Sequence, residues 1–588
     1  MLACAVATAD CVPRMRMEFL IALCIACGEP FASAQAATID VTVDLDADRR
    51  PLQPGIFGVS GSPDPERLAY PLLRWGGNST TRYNWQADVH NTASDWFYMN
   101  IPDGNGTPSS SSLEAQLAST LAAGSQPLLT LSTIGWMPKP VQQKRWGFSV
   151  VKYGPQLQTE CSIFGSNPPA WCTADAGDGT CNPAQNQTGF CNGAGRIVGN
   201  DPLDTSDPSD AQTQRAWVAH LQQRFGDAAS GGVRYYALDN EPMLWNSTHR
   251  DVHPQPLTYD EIWQRTVTYA SAIKAQDPQA RIFGPVTWGY CDLFGSAADN
   301  CLDGPDRAAH GGVPFVDWYL RQICSHEVQH GVRLVDYLDL HYYPQGSGVV
   351  DFADPPNGSE TAEVSARRLR SLKELYDPEW DSESWISDLG NSAPWHYSRP
   401  ALIRRVRAWI DASCPGTGLA ITEYNWGADN GASSALAQVE ALGIFAREGV
   451  DVAARWVAPL ENSLVERAFR LYLDFDGEGG RVSGDSVRAL SADIDALGAY
   501  AFHQPGEGVR IVLVNKATTA TTARIALGRT WSGAWKLYQF TASSNLGLAA
   551  SGSVDGSTVS IAGLPARSAS LLVLADSDRI FTNGFEAP

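Results

Sequence analysis

The sequence predicts an α/β protein: a (β/α)8, TIM-like barrel followed by a C-terminal antiparallel β-sandwich, with an N-terminal strand joining the two. Three observations predict it. From about residue 55 onward, short apolar runs alternate eight times with stretches of helical periodicity, as a parallel barrel requires. Two of those runs, VRYYALDNEP (233–242) and GLAITEYNWG (418–427), carry a glutamate where the strand stops, which is where a barrel presents functional groups. Past about Gly480 the pattern changes to alternating runs such as VRIVLVN (509–515), ARIALG (523–528), AWKLYQF (534–540) and SASLLVLA (568–575), set between Gly, Thr and Ser turns.

Taken in order, the chain opens on what reads as a secretory signal. Arg14 and Arg16 form its charged region, 19–26 its apolar run and Ala32-Ser33-Ala34 its cleavage site, so 1–34 is expected to leave. A start at Met15 or Met17 and a lipidated Cys27 are the alternatives. ATIDVTVDLDADRRPL (37–52) alternates like a half-exposed strand, and 35–54 is expected to join the C-terminal sheet. The barrel is expected over 55–480, the sandwich over 481–576 and a short tail over 577–588. Barrel strands are expected at 56–59, at the start of YPLLRWGGNSTTRYNWQ (70–86), at 127–133, 233–238, 280–289, 335–344, 418–424 and 450–459. Ser111 with Glu114 caps a helix to about 123, and Thr258 with Glu261 caps another to about 275. Gly226 ends a helix over 209–225. Further helical patterns occupy 314–330, 359–376, 394–412 and 433–449. Between 138 and 208 lies an excursion rich in Gly, Pro, Asn and Asp with four cysteines; disulfides there predict an ordered loop beside the cleft.

Composition limits the partners. At 588 residues the chain is too long for one core. A net charge of −21 argues against nucleic acid and anionic membrane, which need basic patches. After the signal no stretch is long and apolar enough to span a bilayer. Nineteen tryptophans suit a protein that stacks on the flat faces of sugar rings. Of twelve cysteines eight remain beyond the signal, an even number that in an exported chain predicts disulfides: Cys291 with Cys301, and two pairs within 161–191. The expected protein is secreted (extracellular or periplasmic) and monomeric, with a polysaccharide as its partner.

Two strand-tip carboxylates, on the fourth and seventh strands, point to glycosidic bond hydrolysis. That reaction needs one carboxyl to protonate the leaving oxygen and another to attack the sugar or activate water. Glu241 stands in an Asn-Glu-Pro turn beside Trp245, an apolar setting that favours the protonated form. Glu423 stands in Thr-Glu-Tyr-Asn-Trp among hydroxyls and amides, which suits an attacking carboxylate. Tryptophans just past strand tips (Trp75, Trp85, Trp136, Trp245, Trp288, Trp426 and Trp456) are candidate stacking platforms, and Asn78 and Asn84 candidate polar contacts. The chemistry needs no cofactor; Asp474-Phe475-Asp476-Gly477-Glu478 has the oxygen-rich look of a structural calcium loop but not the full spacing. His326-Glu327-Val328-Gln329-His330 is a literal H-E-x-x-H on a helix, the pattern of zinc proteases, but no third ligand follows at the required spacing. A non-catalytic carbohydrate-binding protein would keep the tryptophans but could dispense with one glutamate.

RWGGNSTTRYNWQ and SDW (74–86, 94–96), YALDNEPMLW, THRDVHP (248–254), LHYYP and ITEYNWG together resemble glycoside hydrolase family 44, and the resemblance covers nearly all of the mature chain. It implies a secreted endo-acting β-1,4-glucanase or xyloglucanase working with retention, a β-mannanase or xylanase being the alternative on the same barrel. It implies Glu241 as acid/base and Glu423 as nucleophile. Asn240 would bond the 2-hydroxyl of the sugar being cleaved, Tyr343 or Tyr342 would orient the nucleophile, and Arg74 would lie beneath it as a charge partner. The excursion 138–208 is longer than the family pattern leads one to expect.

Overall fold

Eight parallel strands close into a barrel in the computed structural model, which describes residues 36–575 apart from 62–66, 105–110, 142, 356, 357 and 359. The expected signal segment and the C-terminal tail lie outside the described residues. In barrel order the strands are Gly58–Ser60, Leu72–Trp75, Gln126–Leu131, Tyr235–Leu238, Arg281–Thr287, Tyr337–Tyr342, Gly418–Tyr424 and Val452–Arg455. They are called strands one to eight below.

The helices that follow carry the caps the sequence advertises. Ser111 accepts from Glu114 N, and Thr258 from Glu261 N. Gly226 ends Ala211–Phe225 at φ 90°, a conformation that glycine adopts without penalty. Two expectations need correction. The helical pattern at 394–412 becomes a helix only at Leu402–Ser413, and a helix unforeseen in the sequence, Leu464–Leu473, follows strand eight.

Inside the barrel two layers stack. The lower is apolar, with Leu72, Leu128, Ala237, Phe283, Val286, Ala420, Val452 and Ala454 packed together. Two residues on, where strand periodicity returns each side chain to the same face, the barrel turns polar: Arg74, Thr130, Asp239 and Thr422 are all buried. The catalytic-looking residues therefore rest on a dry floor.

The C-terminal sheet differs in detail from the expected sandwich. Its strands Asp485–Ser491, Leu497–Gln504, Gly508–Asn515 and Ser568–Leu574 pair antiparallel in turn. The runs at 523–528 and 534–540 are two halves of one strand, Thr521–Phe540. Its second half pairs with Ser568–Leu574, while its first half pairs, in parallel, with the N-terminal strand Ala37–Asp44. Because Ala37–Asp44 also pairs with Asp485–Ser491, the pairings run in a ring around a core of Ile39, Val41, Val43, Ile511, Ile525 and Leu572.

Helix Ala432–Glu448 is buried on all sides, lying between the barrel and this sheet. Its Glu440 accepts from Lys516 Nζ at 2.8 Å and Tyr500 OH at 3.0 Å, both on the sheet side. The excursion 138–208 is ordered around Tyr98, Phe148, Tyr153, Cys181 and Ile197. The disulfides are Cys161–Cys172, Cys181–Cys191, Cys291–Cys301 and Cys324–Cys414, the first three as expected. No described helix is long and apolar enough to cross a membrane.

Candidate active site

Strands two, four, six and seven converge on one polar cluster at their C-terminal ends. Arg74, fully buried on strand two, donates to Glu423 Oε1 at 2.7 Å and to Asn240 Oδ1 at 2.8 Å. Gly76 makes room for it, since a Cβ there would fall 2.2 Å from the Arg74 guanidinium carbon. The next residue, Gly77, sits at φ 102° and donates its N–H to the same Asn240 oxygen at 3.1 Å. The Gly-Gly break thus fits the close approach of backbone to arginine and asparagine.

Strand four ends in a strained turn. Asp239 and Glu241 both hold positive φ, 73° and 45°, at a cost of order 1–3 kcal/mol each. Asp239 compensates by tying strand four to strand three: its carboxylate accepts from Thr133 N at 2.5 Å and Thr133 Oγ1 at 3.1 Å. The turn lifts the Glu241 side chain to the top of the barrel, where 14% of it stays exposed.

Strand seven contains a bulge. Leu340 pairs with Ile421 but His341 with Glu423, so Thr422 is the extra residue. Strict alternation would send Thr422 and Glu423 to opposite faces; the bulge lets both reach His341. Glu423 is nearly buried. Its Oε1 is held by Arg74, and its Oε2 accepts from Tyr343 OH at 2.8 Å.

His341 links the two glutamates. Its Nδ1 lies 2.8 Å from Glu241 Oε1 and 3.6 Å from Glu423 Oε2. One carboxylate oxygen from each glutamate and a ring nitrogen of His341 all fall within 4.8 Å of one another. Burial drives the His341 ring down to about 4, so it is neutral at pH 7. Burial raises Glu241 above the usual carboxyl range, with the charge of Glu423 adding to the effect. A metal ion fits poorly here, although among the described residues this is the one group of three such ligands. Both oxygens of Glu423 are already engaged, and a dication would face the Arg74 guanidinium.

A model of glycoside hydrolase family 44 matches residues 89–346. A bifunctional glucanase-xylanase from a metagenome library is 34% identical, with 92% of this chain covering 100% of that one at a TM-score of 0.83. The chain belongs to glycoside hydrolase family 44. A family 44 xyloglucanase from Paenibacillus polymyxa is 25% identical over 92% of this chain and 100% of its own, at a TM-score of 0.71. Endoglucanase A of Paenibacillus lautus is 28% identical over 508 residues, 82% of this chain. The chain spans 65% of that relative's length.

Against the family expectation, the structure assembles Arg74, Asn240, Glu241, Tyr343 and Glu423 in one place. Tyr342 is excluded from the pair that could orient the nucleophile: it points outward, and its hydroxyl donates to Glu374 at 2.5 Å. Asn84 is buried, donating to Pro138 O at 2.8 Å and capping the turn at Gln86 and Ala87. It braces the loop and offers nothing to a ligand. Asn78 stays at the rim, donating to Asp95 at 3.0 Å and lying 3.3 Å from Asn240 Nδ2.

The tryptophans divide. Trp245 and Trp426 are enclosed in the core and provide no platform. Trp85, Trp136, Trp288 and Trp456 are partly exposed, and Trp456 lies against Gly77 beside the cluster. Asp474 accepts from Arg470 and the Gly479 amide, and Asp476 from the amides of Glu478 and Gly480, so the loop is braced by its own hydrogen bonds. His326, Glu327 and His330 end a helix that leads into the start of strand six, at the opposite face of the barrel, and Glu327 is paired with Arg333. The zinc protease motif is a coincidence of helix surface.

Sequence reasoning missed His341, Asp339, Thr422 and Asp239. A signal was available: Asp339 and His341 stand at period two inside the apolar run of strand six, where a polar residue has to find a buried partner.

Proposed function

We propose that the protein is a secreted retaining endo-β-1,4-glucanase that cleaves glucan-type polysaccharides, xyloglucan and soluble cellulose derivatives among them, by double displacement. The observation that carries this reading is the approach of the Glu241 and Glu423 carboxylates, one oxygen of each lying within 4.8 Å of the other. Carboxyl groups about 5–5.5 Å apart favour direct attack on the sugar, whereas inverting enzymes keep roughly 6.5–9.5 Å to hold a water between them.

In the first step Glu241 passes its proton to the glycosidic oxygen as Glu423 attacks the anomeric carbon. The C–O bond breaks, the leaving chain departs with the proton, and the sugar is held as an ester of Glu423. In the second step Glu241, now a carboxylate, takes a proton from water as the water oxygen attacks the same carbon and expels Glu423. The raised pKa of Glu241 suits the first role. Arg74 and Tyr343 fix the direction of Glu423, and in this reading Asn240 Nδ2, now donating to Asn78 at 3.3 Å, would turn to the 2-hydroxyl of the sugar being cleaved. Four disulfides suit an oxidising compartment and support export. Xylan is the second substrate class, favoured by the bifunctional glucanase-xylanase to which the chain is similar.

The test is a panel of carboxymethylcellulose, xyloglucan, glucomannan and xylan with product sizes followed over time. Rapid loss of viscosity with a spread of oligosaccharides is expected on the glucans; short products alone, or activity confined to mannan, would overturn the assignment. Azide should partly restore a Glu423→Ala variant and yield a product of inverted configuration, since the small anion replaces the missing nucleophile.

A further inference from the structure

We propose that Asp339 is a positioning residue that shares one proton with Glu241 through a buried relay of Thr422 and His341. The inference rests on Glu241 being the acid/base, and it assigns work to a carboxyl group that no ligand can reach.

The relay is continuous. Asp339 Oδ1 and Oδ2 lie 2.8 and 2.9 Å from Thr422 Oγ1. Thr422 Oγ1 lies 3.2 Å from His341 Nε2, and His341 Nδ1 lies 2.8 Å from Glu241 Oε1. Asp339, Thr422 and His341 are all shut off from solvent. Each link depends on local structure: Asp339 and His341 share the inner face of strand six, and Thr422 keeps the inner face of strand seven two residues on from Ala420, while the bulge brings Glu423 to His341 as well.

Proton counting restricts the chain. A neutral imidazole carries one N–H and a hydroxyl one O–H, so only two orders satisfy every link. In one, Glu241 O–H donates to Nδ1, Nε2–H donates to Thr422, and Thr422 O–H donates to an ionised Asp339. In the other, a protonated Asp339 donates to Thr422, Thr422 donates to Nε2, and Nδ1–H donates to an ionised Glu241. Moving between them shifts one proton from Glu241 to Nδ1, one from Nε2 to Thr422 and one from Thr422 to Asp339. The net change is one proton carried from Glu241 to Asp339, with charge conserved. Ionising both ends breaks the Thr422–Nε2 link, leaving Nε2 only the Arg74 guanidinium at 3.4 Å; protonating both leaves the Thr422 proton unplaced.

Both ends hold a proton above the ordinary carboxyl range, because burial lifts Asp339 to about 7 and also raises Glu241. The other charged or titratable groups facing the relay are Arg74 from strand two, Glu423 from strand seven, Tyr343 after strand six and Asp292 after strand five. A coupled pair holds its last proton to a higher pH than either member alone. That proton keeps Glu241 competent as an acid.

The test is the pH profile of kcat/KM on cellohexaose for wild type, Asp339→Asn, Thr422→Val and the double variant, with Tm measured for each. The expected result is an alkaline limb displaced about one pH unit toward acid in both single variants, a fall of roughly tenfold at a fixed pH on that limb. The double variant should move no further. An unmoved limb in a folded Asp339→Asn protein overturns the relay. So does a displacement that Asp339→Asn produces in full on the Thr422→Val background, since that would be a through-space charge effect. A structural role would lower Tm or raise KM without moving the limb. Where a variant fails to fold, carbon-13 NMR of labelled carboxyls in the wild type decides: paired, two-step titrations support the relay, and a single independent midpoint for Asp339 overturns it. Glu241→Gln serves as the control. Retained activity there would defeat the functional assignment itself, whereas its loss together with an unmoved Asp339→Asn limb would defeat only the relay.

Discussion

Glu241 and Glu423 are chemically alike and differ only in what surrounds them. Glu423 is pinned by a guanidinium and a phenol, while Glu241 faces a neutral imidazole and is raised by desolvation. Replacing either with Gln should lower kcat by at least ~10²-fold on a glucan, measured by reducing-sugar release. Because the pKa of Glu241 is raised, its protonated form survives above the ordinary carboxyl range. The corresponding loss of kcat/KM should therefore lie on the alkaline side of the profile, as pH rises through the raised value. Tyr343→Phe removes one charge-assisted hydrogen bond to Glu423, of order 1.5–3 kcal/mol. A fall of roughly ten- to a hundredfold in kcat with little change in KM is expected from steady-state kinetics.

The elements differ in how far they announced themselves. Strands four and seven were legible because an apolar run ending in Asn-Glu-Pro or Thr-Glu-Tyr carries both its periodicity and its terminus in a few residues. Thr521–Phe540 was not: its charged and glycine-bearing middle reads as a turn, and only its pairing with Gly547–Leu564 along both halves, and with Ala37–Asp44 and then Ser568–Leu574 along its other edge, makes it one bent strand. The Thr422 bulge was equally invisible, since it is a mismatch between two strands far apart in the chain, Tyr337–Tyr342 and Gly418–Tyr424. Among the disulfides, Cys324–Cys414 joins two barrel helices across 90 residues, while the others close loops of 10 or 11. In the chain-entropy account a loop of that length is worth about 4–5 kcal/mol against about 3 for the short ones. The double Cys324→Ala/Cys414→Ala variant should accordingly lose more Tm in scanning calorimetry than the Cys291/Cys301 equivalent.

At the scale of the whole molecule, barrel and sheet are joined through helix Ala432–Glu448. Gly443 meets the Tyr500 ring so closely that a Cβ would fall 2.4 Å from it. Gly443→Val should destabilise by about 1–3 kcal/mol through overpacking, lowering Tm while leaving KM for short oligosaccharides unchanged; an unaltered Tm would show the interface to be loosely packed.

What the sequence determined by itself was the barrel, the two glutamates at its fourth and seventh strand tips, and three of the four disulfides. Those features rest on local periodicity, strand termini and short chain separations, all readable within a few residues. Tertiary structure alone decided that Tyr343 rather than Tyr342 turns toward Glu423, that Trp245 and Trp426 are core, and that His341 sits between the glutamates with Asp339 behind it. The physical reason is that a side chain's role depends on which face the pleat gives it and what stands opposite. Facing and register are set by pairing between distant strands, which no single stretch of sequence records.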